Sequence, residues 1–211
     1  MKLIYLSSAS VIINHEKTNI LCDPWLVDGE FYGSWFHYPS LNFKPEDFNF
    51  VDYIYISHIH PDHLSIKTLS RIDKKIPVII LNYVDKFLKR NIERLGFNVI
   101  ELEHNKRTHL KDNLHINILA AHYCNPELCS KLMGCSNVEK IFGATSLDSM
   151  SVIDNGKEVV VNTNDCPFEI AKFSADALKE YYKNNKEAIL LRAREWNTRN
   201  KEARKLIVVR E

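Results

Sequence analysis

Residues 56 to 65 read Ile-Ser-His58-Ile-His60-Pro-Asp62-His63-Leu-Ser. Four side chains able to bind a metal ion fall within six residues, directly after an apolar run. Alternate side chains share a face on extended backbone, so His58 and His60 point to the same side. Pro61 fixes its own φ and sets a bend, after which Asp62 and His63 can turn back toward that side. Three imidazoles and one carboxylate suit Zn²⁺, Fe or Mn²⁺ rather than an all-sulfur centre. The chemistry that follows is activation of a water molecule and polarisation of a reacting oxygen. The plain alternative is a polar loop that happens to be rich in histidine, and the density of this cluster argues against it.

Strands must hold such a loop. Leu3 to Leu6, Val11 to Asn14 and Asn19 to Cys22 carry apolar and β-branched residues, with a polar turn at His15 to Thr18. Val51 to Ile56 is predicted as the strand that leads into the cluster. Ser65 can cap a helix running to about Ile72. Pro77 to Leu81 reads as a buried strand and Val84 to Leu95 as a helix stopped by Gly96. Further strands are predicted at Phe97 to Leu102, His115 to Ala121, Ser149 to Ile153 and Glu158 to Asn162. The last two are joined by Asp154-Asn-Gly-Lys157, a hairpin turn signal. Consecutive strands followed by alternation with helices predict helices on mixed sheets, not a purely doubly wound parallel sheet.

Composition excludes several classes. With 211 residues, 45% apolar and 26% charged, the chain reads as one folded domain. The expected division is a metal-binding part over 1–169 and a basic helical part over 170–211. The second part holds 11 Lys/Arg against 6 Asp/Glu, and the first holds 17 against 21. That basic tail reads as a solvated helical face, with an anionic partner as the alternative. A net charge of +1 gives no reason to expect nucleic acid. No glycine lies in a dinucleotide or P-loop spacing. No apolar run approaches the roughly 18 residues of a membrane span. Met1 to Ile13 is broken by Ser7, Ser8 and Ser10 and reads as strands rather than a signal peptide. Five scattered cysteines make a poor disulfide framework, so a reducing, cytoplasmic setting is expected. Cys124, Cys129 and Cys135 lack C-x-x-C spacing, and no fourth ligand accompanies them.

An H-x-H-x-D-H run after an apolar strand resembles the signature of the metallo-β-lactamase fold hydrolases. That resemblance implies an α/β chain folded as an αββα sandwich, with metals where strand-end loops converge. It makes His58 and His60 ligands of one metal, and Asp62 and His63 ligands of a second. Leu119-Ala-Ala-His122 matches the family's third histidine of the first site. Asn162-Thr-Asn-Asp165 matches its bridging aspartate. The alternatives are a strand-end histidine bonded to backbone and an aspartate capping a helix. Asp23, at the end of its own strand, resembles a residue that orients the metal loop, with an ordinary Asp-Pro turn as the other reading.

Asp23-Pro-Trp-Leu26, Gly33-Ser-Trp35, Tyr53 to Ser65, Leu147-Asp-Ser-Met-Ser151 and Asn162-Thr-Asn-Asp-Cys166 narrow the resemblance. They are similar to the β-lactamase-fold portion of the CMP-N-acetylneuraminate hydroxylases, and more distantly to N-acylphosphatidylethanolamine phospholipase D. The likeness covers roughly residues 3 to 170. It implies a metal-dependent hydrolase of a phosphoester or other ester, with Asp62 and Asp165 as catalytic residues steering the water. One or two divalent ions are implied, zinc first, then manganese or iron. A small-molecule substrate is implied, of the nucleotide-sugar or phosphodiester class. The alternatives are an oxidoreductase component related to the hydroxylase, and a binding module with a degenerate metal site. The sequence contains no Rieske C-x-H…C-x-x-H pattern, and its nine histidines end at His122. The second site is therefore expected to rest on Asp62, His63 and Asp165, with Cys166 or Cys124 as substitutes or as core thiols. Since 46 residues follow Asp165, the second sheet is expected to be reduced. Trp25, Phe31, Tyr32, Trp35 and Tyr38 read equally as a substrate wall or as a satellite core.

Overall fold

Strict alternation of apolar side chains puts the first sheet between two cores. Ile12, Leu21, Ile54, Val78 and Ile80 face one cluster, and Ile13, Ile20, Cys22, Tyr55, Ile79 and Leu81 face the other. A strand buried on both faces needs apolar residues at every position, and these segments supply them. The computed structural model describes residues 1–83, 86–120 and 148–166. Strands β1 (Lys2–Ser7), β2 (Ser10–His15) and β3 (Thr18–Cys22) pair antiparallel. Strands β4 (Tyr53–Tyr55), β5 (Val78–Leu81) and β6 (Val99–Leu102) then add in parallel, which makes a six-stranded mixed sheet in chain order.

Between β3 and β4 lie α1 (Glu30–Gly33) and a 3₁₀ turn at Pro45–Phe48. The former is a single irregular turn with Phe31 and Tyr32 at positive φ. Helices α2 (Ile66–Arg71) and α3 (Phe87–Arg94) connect the parallel strands. Leu69, Ile72, Leu88 and Ile92 cover the first face of the sheet. Gly96, at φ 91, terminates α3 with its N–H on the Glu93 carbonyl, a backbone setting that favours glycine.

The second sheet is antiparallel, ordered β10-β9-β8-β7. Its strands are β7 (Thr108–His109), β8 (His115–Ala120), β9 (Ser149–Asp154) and β10 (Val159–Asn162). Leu114, Ile116, Ile118 and Ile153 meet the other face of the first sheet. Helix, sheet and sheet are thus three successive layers among the described residues. The mixed first sheet agrees with the sequence expectation. Strand β7 was not anticipated, because two residues show no alternation. Strand β4 begins later than predicted because the Val51 N–H closes the preceding turn on the Phe48 carbonyl. The expected helices beyond residue 170 lie outside the described residues, as do Cys124, Cys129 and Cys135.

The expected cap of α2 is present. The Ser65 hydroxyl accepts from the Thr68 N–H at 3.1 Å and donates to the Glu30 carboxylate at 2.6 Å. This one buried side chain fastens the aromatic loop to the helix that follows the histidine cluster. We expect Ser65→Ala to lower stability by about 1–2 kcal/mol, since it removes a cap and leaves Glu30 without that donor. Urea denaturation measures this, and a midpoint unchanged from wild type would contradict the role.

Candidate metal centre

The cluster sits where β4 ends at the sheet edge. The backbone leaves Tyr55 and reaches His58 through Ser57, whose placement is fixed from four directions. Its N–H donates to the Asp23 carboxylate at 2.7 Å. Its carbonyl accepts from the Tyr83 hydroxyl at 2.6 Å and from the Ser149 hydroxyl at 2.8 Å. Its own hydroxyl lies 2.9 Å from His58 Nδ1 and 3.3 Å from His63 Nδ1. After Pro61 the chain closes a tight turn, with the N–H groups of His63 and Leu64 on the His60 carbonyl. That turn brings His63 back beside His58, their ring centroids 4.1 Å apart.

The remaining ring nitrogens converge. His58 Nε2 lies 2.8 Å from His60 Nδ1, 3.4 Å from Asp148 Oδ1 and 3.9 Å from Asp165 Oδ2. His63 Nε2 lies 3.3 Å from Asp165 Oδ2 and 3.6 Å from Asp62 Oδ2. Donor atoms on a tetrahedral ion at about 2.0–2.1 Å stand roughly 3.3 Å apart, so these spacings fit a shared cation. Two trios, His58–His60–Asp148 and His58–His63–Asp165, each have ligand atoms within 4.8 Å of one another. His63 Nε2 and Asp148 Oδ1 are buried and lack a hydrogen-bond partner among the described residues. Buried polar atoms rarely stay so, and an ion held by the trio to which each belongs would satisfy it. The residues therefore fit a divalent metal.

Electrostatics follow the same geometry. Burial, then the neighbouring His63 and His60, pushes His58 well below the usual imidazole range, so it is neutral. A neutral His58 that donates from Nδ1 to Ser57 presents a lone pair at Nε2, as a ligand must. Burial and His63 also lower His60. Burial lowers His63 too, but Asp23 and then Asp165 outweigh it and raise the imidazole to about 10. Asp148 is raised to about 6, chiefly by burial and then by Asp165.

Asp23 acts as the sequence resemblance implied. Fully buried, it grips the Ser57 N–H with one oxygen and stands 3.1 Å from His63 Nδ1 with the other. Its backbone, at φ 43, is left-handed, which an aspartate tolerates better than most residues. Asp165 is held by the loop after β10. There Asn164, at φ 51, donates to the Ser149 carbonyl, and the Cys166 N–H bonds to the Thr163 carbonyl. Of the expected ligands, the structure brings together His58, His60, Asp62, His63 and Asp165, while His122 lies outside the described residues. Asp148 was missed. One aspartate carries no spacing signal, although its run Leu147-Asp-Ser-Met-Ser151 was among those resembling the hydroxylases.

The aromatic loop resolves in part. Trp25 is buried, Phe31 stacks on Trp35 at 4.9 Å, and Trp25 meets His37 at 4.1 Å. Tyr32 and Tyr38 are exposed. A cavity of about 570 Å³, lined among others by Tyr5, Trp25, His37 and Phe43, adjoins this loop, and none of the cluster's ligands lines it. Cys22 and Cys166 are buried free thiols.

Sandwiched sheets with a histidine–aspartate cluster at one edge define a metallo-β-lactamase-type fold. A profile of the beta-lactamase superfamily domain matches residues 18–143, and the chain belongs to that superfamily. The chain is 36% identical over 100 residues to a Mycolicibacterium smegmatis protein named as a Rieske 2Fe-2S iron-sulfur protein, covering 46% of this chain and 19% of that one. It is 35% identical over 88 residues to the Xenopus laevis cytidine monophosphate-N-acetylneuraminic acid hydroxylase, covering 41% and 15%. The chain thus matches less than a fifth of the length of either relative. Among solved structures, an isothiocyanate hydrolase from Delia radicum gut bacteria superposes with a TM-score of 0.56 at 22% identity, covering 76% of this chain and 60% of that one. Among the described residues no helix is long and apolar enough to cross a membrane.

Proposed function

We propose that this chain is a metal-dependent hydrolase of an ester, a phosphoester first, acting on a small molecule. The observation that carries the proposal is the grouping of His58, His60 and His63 with two carboxylates in two trios that share His58 at the sheet edge. His58, His60, Asp62, His63 and Asp165 would hold one or two divalent ions, zinc first and then manganese or iron, with His122 as a further ligand. When bound, the metal supplies a water acidic enough to be hydroxide near pH 7 and polarises the scissile oxygen. Asp165, half-exposed beside both His58 and His63, would orient that water. Asp62, 3.6 Å from the same His63 Nε2, would take the water's proton. Ser57 and Asp23 hold the two buried imidazoles so that their second nitrogens face the reacting centre. No serine or cysteine nucleophile is needed.

Bis(p-nitrophenyl) phosphate tests this reading. We expect turnover by the zinc- or manganese-loaded protein that falls at least about a hundredfold in His60→Ala, because a ligand is lost outright. A metal-loaded wild-type protein inert to a panel of phosphodiesters and carboxylic esters would overturn it. A second reading has one observation in its favour. One relative is named as a Rieske iron-sulfur protein and another as a hydroxylase. Iron in the purified protein, with activity only alongside an electron donor, would favour that oxidoreductase reading.

A further inference from the structure

Asp148 stands outside the H-x-H-x-D-H motif, yet its carboxylate meets the cluster at its centre. It is 7% exposed and immediately precedes β9. Its Oδ1 lies 3.4 Å from His58 Nε2 and has no hydrogen-bond partner among the described residues. The nitrogen it faces decides its role. A carboxylate that merely orients a metal-binding histidine bonds the ring nitrogen turned away from the metal. On His58 that nitrogen is Nδ1, and Ser57 already occupies it at 2.9 Å. Asp148 instead faces Nε2, the same atom that His60 Nδ1 approaches at 2.8 Å.

The placement is rigid. The neighbouring Ser149 donates to the Ser57 carbonyl, and Ser149 in turn lies 2.9 Å from the buried Tyr55 hydroxyl. Asp148 and His58 are therefore each one residue from the two ends of a single buried hydrogen bond. We propose that Asp148 is a direct metal ligand, which binds the same ion as His58 and His60. This rests on the metal-centre reading above and adds an oxygen donor that the motif does not supply. A carboxylate beside two imidazoles makes the donor set harder, which favours manganese and iron more than a histidine-only site would.

The probe is the metal alone, bound to the full chain. Wild-type protein is stripped, reloaded with Zn²⁺ or Co²⁺, and titrated against a chromogenic chelator. Asp148→Asn keeps the shape but offers a poor donor, and its Zn²⁺ affinity is expected to fall at least tenfold. Asp148→Cys puts a thiolate at the same position. In its cobalt-loaded form it is expected to show a near-ultraviolet sulfur-to-cobalt charge-transfer band that wild type lacks. Unchanged Zn²⁺ affinity in Asp148→Asn, or a cobalt-loaded Asp148→Cys without the new band, would overturn the assignment and leave the metal centre intact. A wild-type protein that takes up neither ion would instead overturn the metal-centre reading, and this assignment with it.

Discussion

Asp23→Ala is expected to cost the metal-free protein about 3–5 kcal/mol, the range found when one partner of a buried ion pair is removed. Asp23 and His63 are both fully buried, and Asp23 also accepts the Ser57 N–H. The alanine leaves that N–H and the His63 ring without their partner. It also puts a Cβ without a polar group at φ 43, where aspartate and asparagine are tolerated better. The sign of the pH dependence follows from His63. Its folded value of about 10 lies above the unfolded one, so the protonated form stabilises the fold. That contribution is fully present below about pH 6.5 and is lost as the pH rises through about 10. The Asp23→Ala penalty is therefore larger at low pH, as urea denaturation at several pH values would measure. Asp23→Asn keeps the shape and the acceptor for Ser57, and is expected to lose less. Equal stability of Asp23→Ala and wild type at neutral pH would show that the buried pair does not hold the loop.

His58→Ala is expected to have the largest effect on metal binding. His58 is common to both ligand trios, so its loss removes a donor from each at once. Partners that only orient a ligand are worth about 10–100-fold in affinity, and a shared ligand should exceed that range. The purified variant should hold less than about a tenth of the wild-type metal, well beyond what an orienting partner would cost. Its near-ultraviolet circular dichroism should stay close to that of metal-stripped wild type, because neutral His58 carries no buried charge whose loss would unbalance the fold. Retention of metal by a folded His58→Ala would place the ion elsewhere.

Much of this was legible in the sequence. The apolar and β-branched runs holding Ile12, Ile13, Ile20 and Leu21 marked the strands, and Ser65 marked the start of α2. The histidine density gave the cluster, because His58 and His60 need only an extended backbone to share a side. Asp23 was legible through its strand-end position. What stayed hidden was long-range. Asp148 approaches His58 across a gap of ninety residues, and only the β8–β9 register and the Ser149–Ser57 hydrogen bond bring it there. Strand β7 was hidden because its pairing comes from β8 and not from its own pattern. The aromatic loop was ambiguous because exposed Tyr38 and buried Trp25 look alike until their surroundings are known.

The second sheet also has a buried outer face. Leu119, Met150, Val152 and Cys166 form a small buried cluster there, with Val159 and Val161 against it. Asp148 directly precedes β9 and Asp165 follows β10. The second sheet therefore brings Asp148 and Asp165 to the cluster, whereas His58, His60, Asp62 and His63 come from the segment after β4. The histidine motif alone therefore leaves out the two aspartates of the second sheet.

The most direct measurement is the metal content of the purified wild-type protein, by elemental analysis after dialysis. The convergence of His58, His60, His63, Asp148 and Asp165 predicts about one to two equivalents of zinc, manganese or iron per chain, retained as expected for a site of this donor number. Less than about a tenth of an equivalent, in protein that is folded and has been offered each of these ions, would contradict it.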